Sequence, residues 1–126
     1  MKIKDINKRL NSRITCMTRR FIKERTKRGH IKSKSPWSIL PYTVNDLRKH
    51  LENQFRYGMS WDNMSEWHID HIIPMNIFKI QEIGDSEFMR CFELSNLRPL
   101  WYYANLSKGG KYLDPQMNPT LFDMVL

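Results

Sequence analysis

The stretch WHIDHIIP, residues 67–74, constrains the fold of this chain more than any other segment. Its three isoleucines and its final proline are typical of a β-strand that ends at a proline. Asp70 and His71 interrupt the apolar run, and burying a carboxylate costs free energy unless the charge is paired. Neighbouring residues of a strand point to opposite faces, so we expect only one of these two side chains to face the core.

The surrounding pattern predicts an α+β protein in the order helix, helix, strand, long loop with a short helix, strand, helix. The second helix lies in YTVNDLRKHLENQF, with a near capping box of Thr43 and Asp46, and ends at Gly58. The later elements are the short helix SEFMRCFEL capped by Asp85 or Ser86, the strand NLRPL and the helix WYYANLSKGG.

Charge divides the chain into a basic arm, residues 1–35, and a body, residues 36–126. The arm carries thirteen Lys and Arg against two acids, and the body carries eight against eleven. Such an arm suits a polyanion, because basic residues that neutralise phosphates release condensed counterions. The alternative is a solvated helix face that only keeps the protein soluble. The arm residues expected to bind DNA are Arg19, Arg20, Lys23, Arg25, Lys27 and Arg28.

The arm is predicted to be a helix from about residue 3 to residue 27, followed by a linker rich in Gly, Ser, Lys and Pro. Apolar residues recur in it at spacings of three and four, which places them in one stripe on a helix. We expect this stripe to dock on the body or on a second copy of the chain. It consists of Ile3, Ile6, Leu10, Ile14, Met17 and Phe21.

Three polar residues follow the strand at spacings that predict a common site. Asn96 lies 25 residues after His71, Asn105 lies nine after Asn96, and Lys108 lies three after Asn105. Residues i and i+3 of a helix share a face, so Asn105 and Lys108 point the same way. The strand carboxylate of Asp70 and a helix amide oxygen are two hard donors, which make a minimal Mg²⁺ site completed by water and substrate phosphate.

DHIIP, then SNLRPL, then N-x-x-K, resembles the ββα-metal motif of the HNH endonucleases, in the form with Asn in place of the last His that small phage HNH proteins carry. The similarity covers roughly residues 60–112 and reaches back to about residue 36. It implies a small ββα-metal HNH core with additional helices and a basic N-terminal helical arm. It also implies an enzyme that hydrolyses DNA phosphodiester bonds with one divalent metal ion.

The resemblance assigns a role to each residue of the motif. Asp70 and Asn105 bind the metal, which is Mg²⁺, Mn²⁺ or another divalent ion. His71 is the general base that activates the attacking water, and an unperturbed histidine pKa near ~6.5 suits that task at neutral pH. Asn96 holds the ring of His71, and Lys108 lies near the scissile phosphate.

Two residues beside the motif have alternative roles. His68 shares a face with Asp70 in a regular strand and either touches phosphate or is a surface histidine. Arg98 pairs either with phosphate or with Glu93.

We also expect Asp70→Ala to change folding little, because it removes a carboxylate from a metal site.

DNA is the expected partner, bound by a monomer or a homodimer. No apolar run approaches the roughly 18 residues of a membrane span, and the N-terminus lacks the apolar core of a secretory signal.

The isolated Cys16 and Cys91 form no CxxC clip of the kind that binds zinc in many HNH relatives, so no structural zinc is expected. They also favour a reducing, cytoplasmic setting, the host cytoplasm if the protein is phage-encoded. The rival hypothesis is a basic DNA-binding protein on an inactive HNH scaffold.

Overall fold

The computed structural model describes residues 1–25 and 35–108, with the side chains of residues 21–25, 106 and 108 outside the description. These residues form helices and a two-stranded antiparallel sheet, which confirms the α+β class. No helix in the described part of the chain has the length and apolar character that crossing a membrane requires. The elements are α1 (Ile3–Arg25), α2 (Val44–Glu52), β1 (Trp67–His71), α3 (Ser86–Cys91), β2 (Leu97–Trp101) and α4 (Tyr102–Lys108), joined by turns and short 3₁₀ helices.

Helix α1 packs on the rest of the chain through its apolar stripe. Ile6, Leu10 and Ile14 are buried in the same core as Leu47 and Leu51 of α2. The predicted docking of the stripe on the body is therefore confirmed for its central part, because these side chains leave water together. Ile3, at the start of the stripe, is 58% exposed. Most of the predicted linker, residues 29–36, lies outside the described residues.

Helix α2 begins with the predicted capping box. The Thr43 hydroxyl accepts a hydrogen bond from the Asp46 N–H, and the Asp46 carboxylate accepts one from the Thr43 N–H. The prediction that the helix extends to Gly58 is wrong, because it ends at Glu52. The chain then turns so that Phe55 packs edge-on against Trp67, with ring centroids 5.3 Å apart. Tertiary packing of this aromatic side chain replaces further helical turns.

Strands β1 and β2 pair so that Asp70 faces Arg98 and His71 faces Leu97 across the ladder. The expectation that only one of Asp70 and His71 faces the core is wrong, since both are buried. Both faces of the strand are covered. His68, on the face of Asp70, meets helix α4, and His71 on the other face packs on Phe92, just after α3.

Helix α3 closes the long connection between the strands. Asp85 is its N-cap and accepts a hydrogen bond from the Phe88 N–H at 2.8 Å, as one of the two predicted caps. Phe88, Cys91 and Phe92 are fully buried. The connection therefore packs its own apolar side chains into the core beneath β1.

Candidate functional site

A buried ion pair joins the two strands at the centre of the predicted motif. The Arg98 Nε donates to Asp70 Oδ2 at 2.8 Å, and the two side chains are 9% and 5% exposed. Buried charges require such a partner, because desolvation otherwise costs several kcal/mol per ion, on the order of 5. The structure thus pairs Arg98 with Asp70. The partners expected from the sequence were phosphate or Glu93, and Asp70 was not among them.

His71 lies on the opposite face of β1 from Asp70. Its ring meets the ring of Phe92 edge-on, with centroids 4.9 Å apart and planes at 86°. The imidazole is almost entirely buried. Edge-on packing against this aromatic ring restricts the orientation of the imidazole.

Asn96 forms hydrogen bonds with the backbone segment that follows β1, immediately after His71. Its Oδ1 accepts from the Ile73 N–H at 2.7 Å, and its Nδ2 donates to the carbonyls of Ile73 and Cys91 at 3.2 and 2.8 Å. Its own carbonyl accepts from the Ile72 N–H at 2.8 Å. These bonds act on the backbone beside His71, so Asn96 holds the segment that follows the histidine. Its role toward the His71 ring itself stays a prediction.

Helix α4 approaches β1 through His68 and Asn105. The Asn105 Nδ2 lies 3.2 Å from His68 Nδ1, and the ring of His68 meets Tyr102 edge-on at 5.4 Å. Burial and then the positive charge of Arg13 lower the pKa of His68. An amide nitrogen only donates, so Nδ1 accepts and the proton of the neutral ring lies on Nε2. His68 is thus a half-buried link between strand and helix.

For several predicted site residues, the structure describes only the backbone or does not describe the residue. Lys108 lies on α4, three residues after Asn105, but its side chain is not described, and the same holds for Lys23 and Arg25 of α1. Lys27 and Arg28 lie outside the described residues. Arg19 and Arg20 are exposed on α1.

Arg13 is a residue that sequence reasoning missed. Its Nη2 donates to the Met64 carbonyl at 2.6 Å, its Nη1 donates to the Trp67 carbonyl at 3.3 Å, and its guanidinium lies 5.6 Å from the centroid of the Trp67 ring. Burial and the nearby charge of Arg9 lower its pKa. The available signal was its position beside Ile14, at the border of the apolar stripe. These contacts of Arg13 hold α1 against the start of β1.

The donor set that the motif offers to a metal is small. Within residues 1–25 and 35–108, no cluster of three or more His, Cys, Asp or Glu side chains could hold a metal ion. The carboxylate of Asp70 and the amide oxygen of Asn105 are hard donors, which suit a cation such as Mg²⁺ that keeps several of its water ligands. The oxygen donors of Asp70 and Asn105 therefore suit a weakly bound divalent ion. The Asp70 carboxylate would then bind both this ion and Arg98.

Comparison with known proteins finds relatives in a giant virus of amoebae, Acanthamoeba polyphaga mimivirus. The chain is 37% identical over 109 residues to the uncharacterized protein L426 of Acanthamoeba polyphaga mimivirus, a match covering 86% of this chain and 47% of that protein. It is 34% identical over 77 residues to the uncharacterized protein L246 of the same virus, covering 60% of this chain and 33% of that protein. The chain spans about half or less of these relatives. No family model matches it, and no solved structure matches it.

Proposed function

We propose that this chain is a metal-dependent DNA endonuclease of the HNH type, with a ββα-metal core formed by β1, β2 and α4. The observation that carries the proposal is the arrangement around β1. Asp70 and His71 lie on this strand, Asn96 fastens the backbone beyond it, and α4 follows β2 directly and meets the strand at Asn105. These are the residues that carry the resemblance to the HNH motif in the sequence.

The proposed reaction is hydrolysis of a phosphodiester bond, with His71 as general base. The His71 imidazole takes a proton from the attacking water as the water oxygen bonds to phosphorus. The bond from phosphorus to one ester oxygen breaks, and the leaving oxygen takes up a proton from solvent. Phe92 and the backbone held by Asn96 keep the imidazole in place. Asp70 and Asn105 would hold the metal, which would supply Lewis-acid neutralisation of the charge on the phosphate and on the leaving oxygen.

Arg98 has a defined part in this proposal. Its guanidinium bonds the same carboxylate that the metal requires, so it keeps Asp70 oriented before the metal binds. Arginine also matches phosphate oxygens in geometry and charge. Arg98 is therefore suited to move part of its bonding from Asp70 to the substrate when the site fills.

A plasmid-nicking assay tests the proposal. Supercoiled DNA is incubated with the full chain and Mg²⁺ or Mn²⁺, with an EDTA arm as control. Conversion to the open circle in the metal arms, absent with EDTA, is the expected result. A single site of this kind cuts one strand, so a linear product requires two copies or rebinding. No conversion with any divalent ion, from protein shown to be folded by circular dichroism, would reject the nuclease.

The second candidate is a non-catalytic, basic DNA-binding protein on the same scaffold. The buried Asp70–Arg98 ion pair favours it, because the carboxylate is already neutralised by a protein cation. This candidate predicts DNA binding that is unaffected by EDTA and no nicking under any metal. The two candidates therefore separate in the same assay when binding is measured alongside cleavage.

A further inference from the structure

A groove runs between α1 and the strand–helix junction that carries His68 and Asn105. It encloses about 490 Å³, and Ser12, Arg13 and Arg20 line its α1 wall, with His68, Ile69 and Asn105 opposite. None of the described residues that line it is acidic. Asn105 belongs both to this groove and to the candidate site, so the groove borders the site at this residue.

The basic wall of the groove follows from the helical period. Arg9, Arg13, Cys16 and Arg20 recur at spacings of four, three and four, which places them in one stripe of α1. This stripe is displaced by one residue from the apolar series of Leu10, Ile14 and Met17, about a quarter turn around the helix. When the apolar stripe packs into the core, the basic stripe must border the neighbouring strand.

The stripe is long enough for several phosphates. Arg9 and Arg20 are eleven residues apart, which is roughly 16 Å along a helix axis. One strand of duplex DNA presents a phosphate about every 3.4 Å of axis, so this length faces roughly five of them. An adjoining cavity shares Ser12 and Arg13 with the groove and adds Lys8 and Arg9, with Asp5 at its far end.

We propose that this groove binds the phosphodiester backbone of a nucleic-acid strand and leads it to the candidate site, an inference that rests on the proposed function. Arg20 supplies the exposed charge, and Ser12 and the Nε2 proton of His68 donate to phosphate oxygens. Arg13 fixes the width of the groove, because its guanidinium is bonded to the carbonyls of Met64 and Trp67. Its charge also adds to the potential that the phosphates meet.

Cys16 provides a probe of the groove that leaves the charges unchanged. It is exposed and lines the groove, whereas Cys91, the other cysteine of the chain, is buried. N-ethylmaleimide under native conditions should therefore label Cys16 alone. A duplex oligonucleotide in EDTA buffer should slow this labelling several-fold, and protein already labelled should bind the duplex several-fold more weakly. Cys16→Ser treated with the reagent is the control and should bind as the untreated protein does.

Charge-matched substitutions test the same groove by salt dependence. Arg20→Gln should weaken duplex binding and lower the slope of log K against log salt by about 0.9, as for one lost phosphate contact. Lys49→Gln removes the same charge from an exposed position on α2 and should change the slope much less. Both residues are exposed, so neither substitution disturbs the core.

The outcomes separate this inference from the nuclease proposal. Unprotected Cys16, together with equal effects of Arg20→Gln and Lys49→Gln, would overturn the groove whether or not the protein nicks DNA. Protection of Cys16 and a selective effect of Arg20→Gln support the groove even when no nicking occurs with metal. In that case the nuclease proposal fails and the DNA-binding candidate stands.

Discussion

At the residue scale, the site is dominated by two buried polar side chains on adjacent positions of β1. Asp70 is held by Arg98 and His71 is held by Phe92, so each has its own support on its own face of the strand. This separation allows the roles of the two residues to be tested independently. A substitution at His71 removes the proposed base and leaves the ion pair intact.

His71→Ala is expected to lower cleavage by roughly 10²–10⁴-fold, as for loss of a general base. Divalent-metal binding should largely survive, because the proposed ligands Asp70 and Asn105 are untouched. Single-turnover cleavage of a labelled duplex measures the effect, and calorimetry with Mn²⁺ provides the control. Near-normal cleavage by this variant would remove His71 from the mechanism.

Asp70→Ala is expected to abolish metal-dependent cleavage and also to destabilise the fold. The premise that this change leaves folding unaltered is wrong, because the substitution leaves the buried Arg98 guanidinium without the carboxylate that it bonds. Breaking a buried pair from one side costs about 3–5 kcal/mol. Urea denaturation should show this loss.

The double variant Asp70→Leu with Arg98→Met is the matched control for stability. Replacing a whole buried pair by apolar side chains of similar size is often close to neutral, so it should recover most of the stability. Cleavage should remain absent in both variants. Unchanged Mn²⁺ binding by Asp70→Ala, in protein that is still folded, would show that Asp70 is not the metal ligand.

At the scale of elements, the connection between β1 and β2 depends on the cap of helix α3. The Asp85 carboxylate accepts from the N–H groups of Gln81, Glu82 and Phe88. It therefore closes the turn before the helix as well as the first turn of the helix. Partial burial opposes ionisation, but these backbone donors outweigh it and lower the pKa of Asp85.

Asp85→Ala should reduce the free energy of unfolding by about 0.5–2 kcal/mol, the usual effect of removing an N-cap. Because the folded pKa lies below the unfolded value of about 4, the stabilisation is present above that value. It is lost as the pH falls through the lowered folded pKa. Thermal unfolding of the wild type and Asp85→Ala should therefore differ at pH 7 and converge in strong acid. A constant difference across that range would contradict the ionised cap.

At the scale of the whole molecule, α1 is both the most basic element and a part of the core. Ile6, Leu10 and Ile14 are buried against the rest of the chain, and Arg13 clasps α1 to β1. Deleting residues 1–34 would expose that core, so it should unfold the protein. Substitution of charges is the sharper test of DNA binding by the arm.

Replacing six basic residues by glutamine should weaken DNA binding without unfolding the protein. The positions are Arg19, Arg20, Lys23, Arg25, Lys27 and Arg28. Each lost phosphate contact should flatten the slope of log K against log salt by about 0.9. KM for DNA should rise, while kcat at saturating DNA should stay within about an order of magnitude. Unchanged affinity and slope would identify the charge of the arm as a solvated face.

The sequence by itself determined the elements whose signals are local. The periods of three and four in α1, the Thr43–Asp46 box, the Asp85 cap and the β-branched run of β1 each depend on residues within a few positions of one another. The α+β class follows from their order. The list of candidate site residues also came from the sequence, through spacing and resemblance.

Tertiary structure alone decided which of those residues meet. Asp70 pairs with Arg98 because the register of β1 and β2 sets them opposite each other, 28 residues apart in the chain. Both Asp70 and His71 are buried because the strand is covered on both faces, which alternation along one strand does not reveal. Arg13 looked like one basic residue among thirteen until the docking of α1 brought it to the Met64 carbonyl. Long-range geometry of this kind depends on how elements pack, and no local pattern encodes it.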